Sequence, residues 1–355
     1  MPGIGIKIQY TFPLMEAGEE QALLDLRLSL QGDRWVTSSS PSTWLGITFD
    51  ANGRVSAVEL QNLNLEGSIP SSLSTLSLLK ELRLSGNRIC GEIPVTLTCL
   101  HAIRILDLSC NLMSGPLLPL FSLSNLEELI LTGNSFEGNL LCDEVKAFSK
   151  LTRLDIVGNA FSGEISPSLH SLCKLENLHI AKNQFTSGSE GFQVLDFPPG
   201  MSSLTEIDMS GNKCQGLLHD SIGHLLQLRS LDLSDNRFSG NIPHSLSRLT
   251  LLETLNLSGN NFHGGLLSSI GALSLLQDLS LAHNSLNGSI PESICELRSL
   301  RSLDLSRNHF SGRIPSSITN LISLVSLTLF DNELSEPLPV DLSRMNSLLE
   351  LDLHG

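Results

Sequence analysis

One template, L-x-x-L-x-L-x-x-N-x-Φ-x-G-x-I-P with Φ a large apolar residue, recurs along most of this 355-residue chain and is written in full at 79–94, 228–243 and 300–315. Its asparagines, Asn87, Asn111, Asn134, Asn159, Asn183, Asn212, Asn236, Asn260, Asn284, Asn308 and Asn332, follow one another in steps of 24, 23, 25, 24, 29 and then five of 24 residues. Each copy is too small to bury its own apolar face, so neighbouring copies must stack and share one core. Length alone would suggest two or three domains; the repeat replaces them with one solenoid over 55–355, about twelve coils and a truncated thirteenth. An early copy carries Leu63 in the asparagine column, and the last, 348–355, breaks off inside its strand. An edge left open there would need covering by a longer protein or another chain.

Within each copy, L-x-L alternates with period two and so makes a short strand, leucines inward and the intervening residue outward. Stacked strands form one parallel sheet. The asparagine turns the chain beside a dry core, where its amide must satisfy backbone groups of its own coil and the next, so the column should form a ladder. Two residues on stands Ile89, Met113, Phe136, Phe161, Phe185, Cys214, Phe238, Phe262, Leu286, Phe310 or Leu334, a stacked core spine in which Cys214 is packing. Four residues on comes a glycine, suited to a tight bend, except at Ser187 and Glu336. The Ile-Pro that often follows fixes an extended backbone before the chain returns along the convex side.

These columns, and the G-x-I-P element above all, resemble the plant-type leucine-rich repeat over about 300 residues from Val55 onward. The resemblance implies an α/β solenoid, a right-handed superhelix with one concave parallel β-sheet and an N-terminal helical cap. Segment 19–54 resembles that family's cap: EEQALLDLRLSL (19–30) as an amphipathic helix, then Trp35, then WLGITFDANGRVSAVEL (44–60) leading into the first strand, with 1–18 an irregular tail. The family's cap has a cysteine just before its Trp-x-Gly motif and another at the position of Phe49; here Ser42, Thr43 and Phe49 stand instead. A missing bridge of this kind costs about 2–4 kcal/mol, offset in part if Phe49 is buried, and weakens the case for an oxidising compartment.

Charge and motif exclude several function classes. Against 22 basic residues stand 37 acidic ones, a net charge of −15 that repels phosphate backbones, and only 5% of residues are aromatic, so nucleic acid is not an expected partner. No apolar run is long enough for a membrane-spanning helix, and Gly5, Lys7 and Gln9 interrupt what would be the apolar core of a secretory signal. Seven cysteines at irregular spacing do not make a disulfide framework. Cys90, Cys99, His101 and Cys110 fall in different columns and lack paired zinc-ligand spacing, so no metal is expected. With no phosphate-binding loop, zinc-protease, nucleophile-elbow or kinase motif, neither an enzyme nor a cofactor is expected.

Recognition remains. A curved solenoid offers its outward strand residues as a continuous rigid surface. The central outward column reads Glu59, Arg83, Asp107, Ile130, Asp155, His179, Asp208, Asp232, Asn256, Ser280, Asp304, Thr328 and Asp352 and is acidic. Aspartate in L-D-L-S is ordinary for such repeats, so departures say more. The candidate partner contacts are Arg83, Ile130, Asp155, His179, Lys182, Asp208, Asp232, His283, Arg307 and Phe330, with His179 and His283 beside the strand leucines able to sense pH or hydrogen-bond a partner. The long step inserts 187–203, containing Pro198-Pro199-Gly200, which should bulge from its coil. Asn256-Leu-Ser and Asn287-Gly-Ser are acceptor sequons for N-glycosylation.

The expected function is noncatalytic recognition of a protein or peptide ligand, with a co-receptor as a further partner. The resemblance implies perception, signalling or defence, as in receptor-like proteins, receptor-like kinase ectodomains and secreted polygalacturonase inhibitors. Two alternatives stay open: an intracellular structural scaffold, and a fragment of a receptor-like serine/threonine kinase whose catalytic domain lies beyond Gly355. The compartment, cell surface or cytoplasm, stays open with them.

Overall fold

The first apolar residue of L-x-L stands at the centre of its short strand and is buried from Val58 to Leu327, as at Leu82, Leu106, Leu154 and Ile207, so successive coils turn the same apolar edge inward; Leu351 in the last strand is exposed. In the computed structural model, which describes residues 15–32, 35, 40–187, 197, 199–335 and 345–354, these strands pair in parallel from Val55–Glu59 to Glu350–Asp352. With the antiparallel strand Ile47–Phe49 at its start they form a 14-stranded sheet. On the opposite side short 3-10 turns, such as Val95–Cys99 and His244–Arg248, return the chain and drop Leu97 and Leu246 into the core.

The one-sheet expectation needs an addition. The corresponding residues past the asparagine column, for example Arg88–Gly91 and Arg237–Gly240, form two further ladders of six strands each along the flank, the cap strand Leu30–Gln31 adding a seventh to the first. Identical coils stacked about 4.8 Å apart bring the same extended stretch beside its neighbour, so its backbone groups find partners too.

The flank ladder is interrupted at the 29-residue step, between Gln184–Thr186 and Gln215–Leu217, where one isolated bridge, Thr186 to Lys213, remains. Ser187 spans the gap: its hydroxyl donates to the Gln215 carbonyl and accepts the Gln215 N–H, both at 2.6 Å. Much of 187–203, Pro198 included, lies outside the described residues, as do Glu336, Gly355 and 1–14. Phe197 is buried, its N–H donating to Ser221 Oγ at 2.8 Å and its carbonyl meeting His224 Nδ1 at 3.1 Å. The concave sheet crosses the same coil unbroken, Asn177–His179 pairing with Glu206–Asp208.

Asn236 shows what the asparagine column does. Its Oδ1 accepts the Cys214 N–H of the preceding coil at 3.0 Å, while Nδ2 donates to Met209 O (2.9 Å), Leu233 O (3.3 Å) and Ser234 O (3.0 Å). The same pattern runs from Asn111 to Asn332. Asn87 accepts from both Leu63 and Leu65, serving a coil that has no asparagine in this column. Beneath the ladder, Phe136, Phe161 and Phe185 stack with centroids 6.4 and 6.3 Å apart, and Phe238 and Phe262 at 6.4 Å. Cys214 fills the spine between these two runs, fully buried, its thiol pushed up to about 12 by desolvation.

At the first coil, the helix Ala17–Ser29 buries Ala22, Leu23 and Leu26. Glu19, 1% exposed, accepts Arg54 Nε–H at 2.8 Å and the Val55 N–H at 3.0 Å, tying helix to first strand. Trp35 and Trp44 meet edge-to-face at 5.5 Å. Phe49 is half-buried against the core. The chain leaving the helix pairs antiparallel with Glu66–Gly67, where Gly67 has φ 119° and an added Cβ would fall 1.9 Å from the Ser29 carbonyl oxygen. No other residue type fits that approach.

Candidate functional site

Strand pairing aligns the central outward column residue by residue: Arg83 on Asp107, Asp155 on His179, His179 on Asp208, Asp208 on Asp232, Asp232 on Asn256. A second outward column runs beside it, with Glu81, Glu128, Arg153, Glu206, Asp278 and Glu350 among its members. The sheet is therefore a two-column surface, predominantly acidic.

Asp107, Asp208, Asp232 and Asp304 each spend one oxygen on their own turn, Oδ1 accepting the N–H at 2.9–3.0 Å and the hydroxyl at 2.6–2.7 Å of the serine two residues on. Asn256 does the same with Ser258. The aspartate of L-D-L-S is thus a turn fastener first; at Asp232 the second oxygen also accepts from Asn256 Nδ2 of the next coil at 3.0 Å.

At the centre of the concave face the coils bring together an ion cluster that spacing alone did not reveal. Asp155, 8% exposed, accepts from Thr132 Oγ1 and from Arg153 Nη2 (2.9 Å), and His179 Nδ1 stands 3.7 Å from its Oδ2. His179 Nε2 lies 3.0 Å from Glu206. Burial acts to raise the Asp155 pKa, but His179, Thr132 and Arg153 outweigh it and hold the carboxyl well below the usual carboxylate range. Asp155 in turn, with Glu206 and Asp208 adding, raises the His179 imidazole against its own burial. Asp155 thus has both carboxylate oxygens engaged within the cluster and is buried, and Ile130 is 9% exposed. Arg83 turns along its strand to Glu81 at 3.2 Å.

Lys182, His283 and Arg307 do not stand on the strands. They occupy the turn immediately before the asparagine, each in the left-handed region with φ of 52°, 54° and 53°, a column that Gly86, Gly133, Gly158, Gly211 and Gly259 fill elsewhere. A side chain there costs about 1–2 kcal/mol relative to glycine. The available signal was the alternation between glycine and larger residues before each asparagine. At the last described coils these side chains link up: His283 Nε2 lies 3.2 Å from Arg307 Nη1, Arg307 Nε lies 3.4 Å from Asp331, and the guanidinium sits 5.4 Å from the Phe330 centroid. Phe330 stacks on His354 at 5.0 Å. On the other edge of the strands a shallow trough of about 690 Å³ runs past Glu253, Gln277 and Arg301, with Leu275 and Ile322 exposed beside it.

Cys90, Cys99, Cys110 and Cys173 face solvent, because they fall on turns and flank positions outside the leucine columns. Among the described residues no group of three metal-ligating side chains comes together, and no helix is long and apolar enough to cross a membrane.

Leucine-rich-repeat family models match residues 202–262 and 268–310, and 78–100 and 150–172. Receptor-like protein 41 of Arabidopsis thaliana is 36% identical over 153 residues, 42% of this chain and 17% of that protein. Among solved structures, a TDR receptor superposes with a TM-score of 0.75 at 31% identity, covering 81% of this chain and 49% of that one. The plant peptide hormone receptor RGFR1, solved with RGF2, gives 0.74 at 32% identity with the same coverage. The chain thus spans half or less of the length of these relatives.

Proposed function

The chain is a leucine-rich-repeat protein of the plant receptor-like type, and from that premise we propose that its concave sheet recognises a protein or peptide ligand without catalysing a reaction. The observation that carries this reading is the unbroken register of the parallel strands from Val55–Glu59 to Glu350–Asp352, which presents two parallel columns of outward side chains as one rigid surface. A rigid, pre-formed surface avoids most of the ordering cost of binding. Its chemistry favours a partner carrying positive charge: Asp208 and Asp232 stand side by side next to Glu206, Asp232 Oδ2 meeting only the neutral Asn256 amide, while Arg153 on the same face is already engaged by Asp155. RGFR1, a plant peptide hormone receptor, supports a peptide as the ligand class.

The test must remove charge without unfastening the turns. Asn256 shows that asparagine keeps the serine contacts in this column, so D208N/D232N is the suitable variant. A displayed random-peptide library selected on the immobilised chain should yield cationic sequences that lose at least tenfold in affinity for D208N/D232N. Selected peptides that bind both forms equally would remove these carboxylates from the site.

An intracellular scaffold is the second reading, favoured by the four solvent-facing thiols, which persist reduced in the cytosol. Fractionation of the native protein separates the two: a cell-wall or membrane pool supports the receptor, a cytosolic pool the scaffold.

A further inference from the structure

The two sequons sit in opposite structural situations, and we propose that Asn287 is an N-glycan acceptor while Asn256 is not. In Asn256-Leu257-Ser258 every part is committed to the fold. Asn256 is half-buried on the concave sheet, its Nδ2 donates to Asp232 Oδ2 at 3.0 Å, and its Oδ1 accepts the N–H (3.1 Å) and hydroxyl (2.7 Å) of Ser258, the residue a transferase would need to read. Leu257 between them is fully buried in the core. Presenting this sequon would mean withdrawing a core leucine and unfastening a turn.

Asn287-Gly288-Ser289 has none of these commitments. All three residues are exposed on the flank strand Ser285–Gly288, and neither the Asn287 amide nor the Ser289 hydroxyl has a hydrogen-bond partner among the described residues. A Cβ built on Gly288 would meet nothing within 4 Å, so the space over the sequon is open. The donor is a lipid-linked oligosaccharide pyrophosphate. Asn287 Nδ2 forms the bond to the sugar's anomeric carbon as the carbon–oxygen bond to pyrophosphate breaks; the pyrophosphate leaves with the electron pair, and the amide proton passes to a base of the transferase. The attached glycan stands on the flank and leaves the concave columns uncovered, whereas one on Asn256 would stand between Asp232 and Ser280.

The full chain, carried into a glycosylating secretory pathway by an added cleavable signal, tests this independently of the native compartment. The folded monomer is treated with peptide-N-glycosidase in heavy-oxygen water and mapped by tandem mass spectrometry. The expected result is a heavy-oxygen label at position 287 and none at 256, with N287Q and S289A each losing one glycan of mass and N256Q losing none. Glycan at Asn256 in the folded fraction, or an unchanged mass in both N287Q and S289A, overturns the proposal.

Discussion

A single amide that serves four backbone groups, as Asn236 does, makes the ladder the most sensitive residue-scale feature of the chain. Asn236→Ala should cost about 1–3 kcal/mol, read as a lower urea midpoint, because the Cys214 N–H is left unpaired in a dry interior and the Met209 carbonyl keeps Asn212 Nδ2 as its remaining side-chain donor. The sequence made this column plain, since its only constraint is spacing along the chain. The Asp155–His179 cluster was not plain, because its contacts between coils join residues 23 to 27 apart that meet only once the coils are in register. Its raised His179 pKa means stabilisation that is full below the unfolded value of about 6.5 and is lost as pH rises through the folded one. For Asp155 the lowered pKa means stabilisation present above about 3.9 and lost as pH falls through the folded value. His179→Gln should therefore be more destabilising near pH 5.5 than near pH 9, with the wild-type imidazole titrating above 6.5 by NMR. Equal losses at both pH values would mean that the imidazole contributes packing alone.

Elements here are stabilised by what each coil does for the next. Phe161, between Phe136 and Phe185, is fully buried, and Phe161→Ala should cost about 3–5 kcal/mol, with Phe161→Leu recovering much of it. At the cap, Glu19→Ala leaves the buried Val55 N–H without its acceptor at about 1–3 kcal/mol. Hydrogen exchange should then show faster opening of Ala17–Ser29 and Val55–Glu59 than of the central strands. The concave strands and spine were legible because apolar spacing alone defines them. The flank ladders and the left-handed turn column were not: both depend on backbone dihedrals, which leave no hydrophobic period. Lys182, His283 and Arg307 were recognised as unusual residues but assigned to the strand surface, since an outward strand position and a left-handed turn both admit polar side chains.

Across the whole molecule, the net charge of −15 and the acidic concave columns act together. Exposed charges a Debye length apart, about 10 Å at 0.1 M salt, are screened, so affinity for a cationic partner should fall steeply as salt is raised. Affinity that is flat with ionic strength would point to uncharged contacts, such as the exposed Leu275 and Ile322 beside the trough. The break in the flank ladder beside Ser187 bears on such a partner as well. Among the described residues, coils carrying flank strands are laced along two seams, the sheet and the flank; at this coil the flank seam is reduced to the Thr186–Lys213 bridge and the Ser187 contacts. A tilt of the coils on one side against those on the other would meet less resistance from the flank here, and a ligand long enough to lie across this coil would feel that angle as much as the shape of either half.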